Sequence, residues 1–268
     1  MASSAIKGHD YFCPECRGRV RRRGGLRRQD HFFHIDGTSR CRQNGKSLRH
    51  IQVQLFFLST IPNGECRLEH PFPQIRRIAD VFWEKEGLVF EVQCSPISPE
   101  EVLARNRDYA SVGVRPVWIL HDHRYNGENV QSVEFVLKGH PHYFTNIDEE
   151  GKGCVYDQFS HTFSHRRTKR LPMCSIAVDR PRSIPCDLRS PVEFIQHRIS
   201  RWKVHFSGDI VDSYCTGDRE GYCSRIAHIE KRDSSSLGKG KSMAIHLINS
   251  TACIGKVLFR YLLERFCK

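Results

Sequence analysis

Two short runs between residues 76 and 95 each set an acid into an otherwise apolar stretch. Arg76-Arg77-Ile78-Ala79-Asp80-Val81-Phe82-Trp83 and Leu88-Val89-Phe90-Glu91-Val92-Gln93-Cys94-Ser95 flank the charged turn Glu84-Lys85-Glu86-Gly87. β-Branched and aromatic residues on both sides of a glycine-containing turn predict a β-hairpin. Asp80 falls on its first strand and Glu91 on its second. Burying a carboxylate among Ile, Val and Phe is costly unless something compensates it, and a divalent cation does so directly. Gln93, two residues after Glu91, shares its face by strand alternation. Asp80, Glu91 and Gln93 thus have the pattern of a hydrolytic Mg²⁺ or Mn²⁺ site.

The flanks extend this unit. Ser47 to Leu58 predicts a helix whose core stripe runs through Leu48, Ile51, Gln54/Leu55 and Leu58. Cys66 to Phe72 is strand-like and contains Glu69. Ser98-Pro99-Glu100-Glu101 combines an N-cap serine, a proline at the first helical position and a capping glutamate. The helix it opens should run to about Val112, with Gly113 as its stop. Arg115-Pro116-Val117-Trp118-Ile119-Leu120 predicts a buried strand.

Helix, three strands, helix, strand, with Asp on the second strand and Glu-x-polar on the third, resembles the core of the PD-(D/E)xK nuclease superfamily. More narrowly, Arg77-Ile78-Ala79-Asp80-Val81, Glu91-Val92-Gln93-Cys94-Ser95, Arg105-x3-Tyr109 and Val117-Trp118-Ile119-Leu120 are similar to the competence protein CoiA family. Members of that family also tend to begin with Cys-Pro-x-Cys and His-Phe-x-His segments, which stand here as Cys13-Pro14-Glu15-Cys16 and His31-Phe32-Phe33-His34.

The resemblance implies an α/β fold with a restriction-endonuclease-like αβββαβ core. It also implies a divalent-metal-dependent nuclease that processes single-stranded or branched DNA in recombination and transformation, with recombination proteins as partners. Asp80, Glu91 and the Val92 carbonyl would hold Mg²⁺ or Mn²⁺, and Gln93 would orient the water. His50 on the first helix and Glu69 on the strand before the hairpin are further catalytic candidates. Arg105 and Tyr109, one helical turn apart, would hold the nucleic acid near the metal. Two positions depart from the superfamily pattern: Ala79 stands for the proline, which is no ligand, and Gln93 stands for the lysine. A glutamine orients water by hydrogen bonding but carries no charge. A catalytically inactive DNA-binding accessory protein, or a nuclease directed at RNA, therefore stays open beside the DNA nuclease.

Charge points the same way. The 268-residue chain carries a net charge of +12, and residues 1–50 hold twelve Lys/Arg against four Asp/Glu, a net +8. Such a concentration favours a polyanion. No apolar run approaches the ~20 residues of a membrane span and the first ten residues lack a signal-peptide core, so the expectation is a cytoplasmic protein with no membrane partner. In that compartment the 12 cysteines are thiols or metal ligands rather than disulfides. Cys13 and Cys16 have the spacing of a zinc knuckle, and His31, His34 and Cys41 follow, so four of these five predict a structural Zn²⁺. Arg21, Arg22, Arg23, Arg27 and Arg28 would then form a fixed phosphate-binding surface.

The expected organisation is a basic zinc-finger-like module over residues 1–46, the nuclease-like core over 47–125, and a mixed, mainly helical C-terminal extension over 126–268. Within the extension, Val133 to Leu137 predicts a strand. The basic run His165 to Arg170 and the proline-rich stretch to Pro191 predict a linker or irregular segment. A helix is expected from Ser190-Pro191-Val192-Glu193 to about Phe206, a mobile loop over Asp233 to Ser242, and an amphipathic helix over Ile254 to Phe266.

Overall fold

The computed structural model describes residues 4–13, 16–25, 28–35, 46–163, 165–184, 192–217 and 219–236. An N-terminal antiparallel sheet is built from β1 (Tyr11–Phe12), β2 (Arg19–Gly25) and β3 (Arg28–His34). The core follows as α1 (Leu48–Thr60), β4 (Cys66–Phe72), β5 (Arg77–Trp83), β6 (Leu88–Gln93), α2 (Pro99–Ser111) and β7 (Arg115–His121). This is the expected order of helix, three strands, helix and strand. Beyond it come α3 (Ser132–Leu137), β8 (His142–Thr145), β9 (Val155–Asp157), β10 (Ser160–Phe163), β11 (Arg166–Arg170), β12 (Cys174–Ser175), β13 (Ala177–Arg182), α4 (Glu193–Arg201), β14 (His205–Ser207), α5 (Ile210–Thr216) and α6 (Arg219–Ser236).

Seven strands form the central sheet in the order β12-β9-β8-β7-β6-β5-β4. β4, β5 and β6 pair antiparallel, whereas β6, β7 and β8 pair parallel. The parallel pairs require crossovers, which α2 and α3 provide. Strand alternation assigns the two faces. Val117 and Ile119 of β7 join Val53 and Phe57 of α1, Phe90, and Trp202 and Phe206 from the C-terminal segment. Trp118 and Leu120 face the other way, with Val102 of α2 and Val133 and Leu137 of α3. The sheet is buried on both faces, as a parallel centre requires. Each fully buried large apolar side chain contributes about 1.5–3 kcal/mol.

The local signals act as expected at the ends of the core elements. The Ser47 side chain caps α1 by accepting from the His50 N–H at 3.3 Å, and Ser98 caps α2 by accepting from the Glu101 N–H at 3.2 Å. Gly87, at φ +60°, turns the β5–β6 hairpin.

The buried face of α1 differs from the predicted stripe. It runs through His50, Val53, Gln54 and Phe57, while Leu48, Leu55 and Leu58 are exposed. Two polar side chains take core positions because Asp80 and its surroundings give them hydrogen-bond partners. Val133 to Leu137 is helical, not a strand: the Glu134 carboxylate accepts the Gln131 N–H at 2.9 Å and closes the first turn, overriding β-branched propensity.

The basic run at 166–170 is no linker; it forms β11 against β10, with Arg167 buried on Glu134. The proline-rich stretch continues as β12 and β13, and its residues 185–191 lie outside the described residues. Among the described residues the extension is mixed: α3 to α6 and β8 to β14 all lie after residue 125, and β8, β9 and β12 enlarge the central sheet. The helix expected to reach Phe206 stops at Arg201. Of the expected loop at 233–242, Asp233 to Ser236 belongs to α6, and the rest lies outside the described residues, as does the helix expected at 254–266.

Residues 1–219 make one compact unit and residues 220–268 a second, of which α6 is the described element. No helix among the described residues is long and apolar enough to cross a membrane.

Candidate metal and nucleic-acid sites

The central site forms where β5 and β6 part. Their pairing runs through Trp83↔Leu88, Phe82↔Val89 and Val81↔Phe90, and stops there. At the next position the Asp80 carboxylate turns inward and its Oδ2 accepts the Val92 N–H at 2.9 Å. Alternation breaks at Asp80, since Ala79 packs on the α2 side and Val81 on the α1 side. Opposite it on β4, Glu69 adopts φ +51° while its neighbours keep the pairs Leu68↔Val81 and His70↔Ala79. A non-glycine residue in the left-handed region costs about 1–2 kcal/mol. Such outliers concentrate at functional sites.

Asp80 is 5% exposed and its Oδ1 carries two further partners. His50 Nε2 lies 3.1 Å away and Lys46 Nζ donates at 2.7 Å. Lys46 also donates to Glu69. Gln54 donates to Glu69 and, at 3.1 Å, to the Asp80 backbone carbonyl. Burial alone would raise the Asp80 carboxyl, but His50 and Lys46 outweigh it and hold the group well below the usual carboxylate range. Asp80 is ionised. Donor atoms of His50, Glu69 and Asp80 lie within 4.8 Å of one another. One imidazole and two carboxylates form a hard, nitrogen-and-oxygen donor set that suits Mn²⁺, and Mg²⁺ less well.

Glu91 is not part of that group. It is 1% exposed and faces α2, where Arg105 Nη1 and the Tyr109 hydroxyl each donate to one of its oxygens. Burial raises the Glu91 carboxyl; Arg105 opposes the rise and Asp80 adds to it, leaving the group above the ordinary glutamate range. Burial and Glu91 together raise the Tyr109 phenol, so it stays a donor. Glu101 accepts from Arg105 Nε at 3.0 Å and from Arg77 Nη1 at 2.7 Å, which ties β5 to α2. Glu69 is a partner of Lys46 and Gln54. Gln93 turns away from Asp80, its amide donating to the Ser95 carbonyl at 2.6 Å.

The structure therefore brings His50, Glu69 and Asp80 together, and Glu91, Arg105 and Tyr109 together, as two adjoining clusters. Sequence reasoning missed Lys46. A cation just before a helix N-cap opposes the helix dipole and so signals a nearby anion.

At the N-terminus, Cys13, Cys16 and His34 also present ligand atoms within 4.8 Å of one another. Cys16 Sγ lies 3.2 Å from His34 Nε2 and accepts the Gly18 N–H at 3.3 Å. A Cβ on Gly18 would stand 3.2 Å from that sulfur and 3.4 Å from His34 Cδ2, so a side chain here would press on the knuckle. Thiolates and an imidazole at this spacing suit Zn²⁺. His31 lies in β3 opposite Arg23, with its side chain outside the described residues, and Cys41 lies outside them altogether.

The arginine cluster divides. Arg19, Arg21 and Arg23 alternate along β2 as exposed residues, with the 66% exposed Phe12 paired to Arg19. Arg21 is paired with Asp10, and Arg23 lies over the Phe33 ring at 5.8 Å. Arg22 instead donates to the Ala5 carbonyl at 2.8 Å. Arg27 and the side chain of Arg28 lie outside the described residues.

Comparison with known proteins places these features in a family. The model for the competence protein CoiA N-terminal domain matches residues 2–44, and that for the CoiA nuclease-like domain matches residues 47–168. No curated protein and no solved structure matches the chain. With both models matched in order over the basic sheet and the hairpin site, the chain belongs to the competence protein CoiA family.

Proposed function

We propose that the chain is a divalent-metal-dependent nuclease that processes DNA during competence. The observation that carries the reading is Asp80: a buried, ionised carboxylate, set at the parting of two strands, within ligand distance of a histidine and a second carboxylate. His50, Glu69 and Asp80 are the residues that would hold the metal. The bound cation would polarise the scissile phosphate and lower the pKa of an attacking water. Gln54 fixes the Glu69 carboxylate and the Asp80 backbone, so this donor set is rigid before any ligand arrives. Glu91 holds Arg105 and Tyr109 against the sheet beside it.

The nucleic acid would enter along the N-terminal sheet. Arg19, Arg21 and Arg23 form an exposed basic row along β2, with Arg19 and Arg21 sharing Asp10, and Phe12 offers a face on which an unpaired base can stack. This favours single-stranded or branched DNA. A structural Zn²⁺ on Cys13, Cys16 and His34 would hold that sheet rigid.

The test is cleavage of labelled single-stranded, duplex and branched DNA, and of matched RNA, with Mg²⁺ or Mn²⁺. Metal-dependent cleavage of DNA that disappears in Asp80→Ala supports the reading. Tight, salt-sensitive binding without cleavage of any substrate refutes it, and leaves a DNA-handling accessory protein.

A further inference from the structure

We infer that Lys46 supplies the ammonium that strand β6 lacks; this rests on reading the site as a nuclease. In the superfamily pattern the position of Gln93 carries a lysine, whose charge stabilises negative charge near the attacked phosphate. Here Gln93 is uncharged and its amide is committed to Ser95, at 2.6 Å from the carbonyl and 3.3 Å from the hydroxyl. Lys46 enters from the opposite side, from the residue preceding the cap of α1. Its Nζ is held by Asp80 Oδ1 at 2.7 Å and by Glu69.

Three features separate this lysine from an ordinary surface ion pair. First, it touches two of the three residues of the metal-binding group, so it stands at the site itself. Second, its side chain keeps 20% exposure against 7% for Asp80, so Lys46 lies nearer solvent than the carboxylate it holds. Third, an ammonium has three N–H donors, and among the described residues two of them are engaged. The third would serve a phosphate oxygen or an attacking water. Asp80 and Glu69 act as the brace that aims it. Each carboxylate has lone pairs enough to serve the ammonium and a cation together.

The placement also runs against helix stability, because a positive charge at the start of α1 opposes the helix dipole. The site, not the helix, accounts for it. The charged group then comes from a different segment of chain than in the superfamily pattern.

The experiment compares the native chain with Lys46→Met, Lys46→Arg, Gln93→Lys and the double variant Lys46→Met/Gln93→Lys. It reads DNA cleavage, Mn²⁺ affinity by calorimetry and the melting temperature. Lys46→Met should lower kcat about 10²-fold, the scale for removing one preorganised charge-stabilising donor. Mn²⁺ should bind as tightly as before or more tightly, since a competing cation has gone. Gln93→Lys should restore cleavage in the double variant, and Lys46→Arg should retain part of it. A purely structural lysine would instead lower the melting temperature and the Mn²⁺ affinity together, with no rescue from position 93, and that result overturns the inference. Cleavage by Lys46→Met at or above the native rate overturns it too, while leaving the nuclease intact. A native chain that cleaves no substrate overturns the nuclease reading, and the role of Lys46 falls with it.

Discussion

Replacing Arg105 by leucine tests the physics of the second cluster. Glu91 is 1% exposed, and the Arg105 side chain that pairs with it is 10% exposed. Leucine fills part of the same space but leaves a buried carboxylate with Tyr109 as its remaining side-chain partner. Breaking one side of a buried ion pair costs about 3–5 kcal/mol. In a unit of 219 residues, each kcal/mol moves the melting temperature by about 2–4 °C, so a fall of roughly 6–20 °C is expected.

The loss must depend on pH. Burial already holds the Glu91 carboxyl above its usual range, and removing Arg105 raises it further. A raised carboxyl favours the protonated, folded form, so its contribution is present at low pH and lost as pH rises through the folded pKa. The penalty should therefore shrink toward pH 5 and grow toward pH 8, with a slope of at most about 1.4 kcal/mol per pH unit. Urea unfolding at both pH values measures it, with Glu91→Gln/Arg105→Leu as the second variant. That pair should recover most of the stability at pH 8, because no buried charge remains. A loss below about 1 kcal/mol that is equal at both pH values would refute the reasoning, since it is the size expected of a solvated pair.

Three further outcomes are expected. His50→Ala, Glu69→Gln and Asp80→Asn should each weaken Mn²⁺ binding by calorimetry, whereas Glu91→Gln should weaken it little; equal losses in all four would return Glu91 to the ligand set. Chelation, or Cys16→Ser, should remove one equivalent of zinc by elemental analysis and weaken DNA binding with a smaller salt slope; a zinc content unchanged by Cys16→Ser would exclude the knuckle. His142 is held down to about 4 by burial and by Arg198, against 6.5 ordinarily. A lowered histidine stabilises the fold above its ordinary pKa, and this is lost as pH falls from about 6.5 toward 4, by up to about 3 kcal/mol; His142→Phe should flatten that limb of the urea-midpoint profile, and an unchanged profile would assign it elsewhere.

Local chemistry made the core legible. The Ser47 and Ser98 caps, the Gly87 turn and the apolar runs of β5 and β6 are decided by neighbours within a few residues, so helix, strands and hairpin could be read from order alone. Asp80, His50, Glu69, Arg105 and Tyr109 were legible as polar groups in apolar or helical settings. Their partners were not. Strand alternation places Asp80 across from Glu91, and only the parting of β5 from β6 sends one acid to α1 and the other to α2. The stripe on α1 differs for a related reason: Gln54 is buried as expected, but Leu48, Leu55 and Leu58 are exposed and His50 is buried, since Asp80 and Glu69 satisfy the two polar side chains.

The region after residue 125 was least legible, because its strands are short and pair with partners distant in the chain. Arg167 looks solvated in a basic run until Glu134, 33 residues earlier, closes on it. Lys46 is the same case at the site. What the sequence determined by itself was the set of elements, their order and the unusual acids within them, since capping, turn and alternation act locally. What the tertiary structure alone decided was which charges meet, because Coulombic pairing and desolvation depend on distances that chain order does not contain.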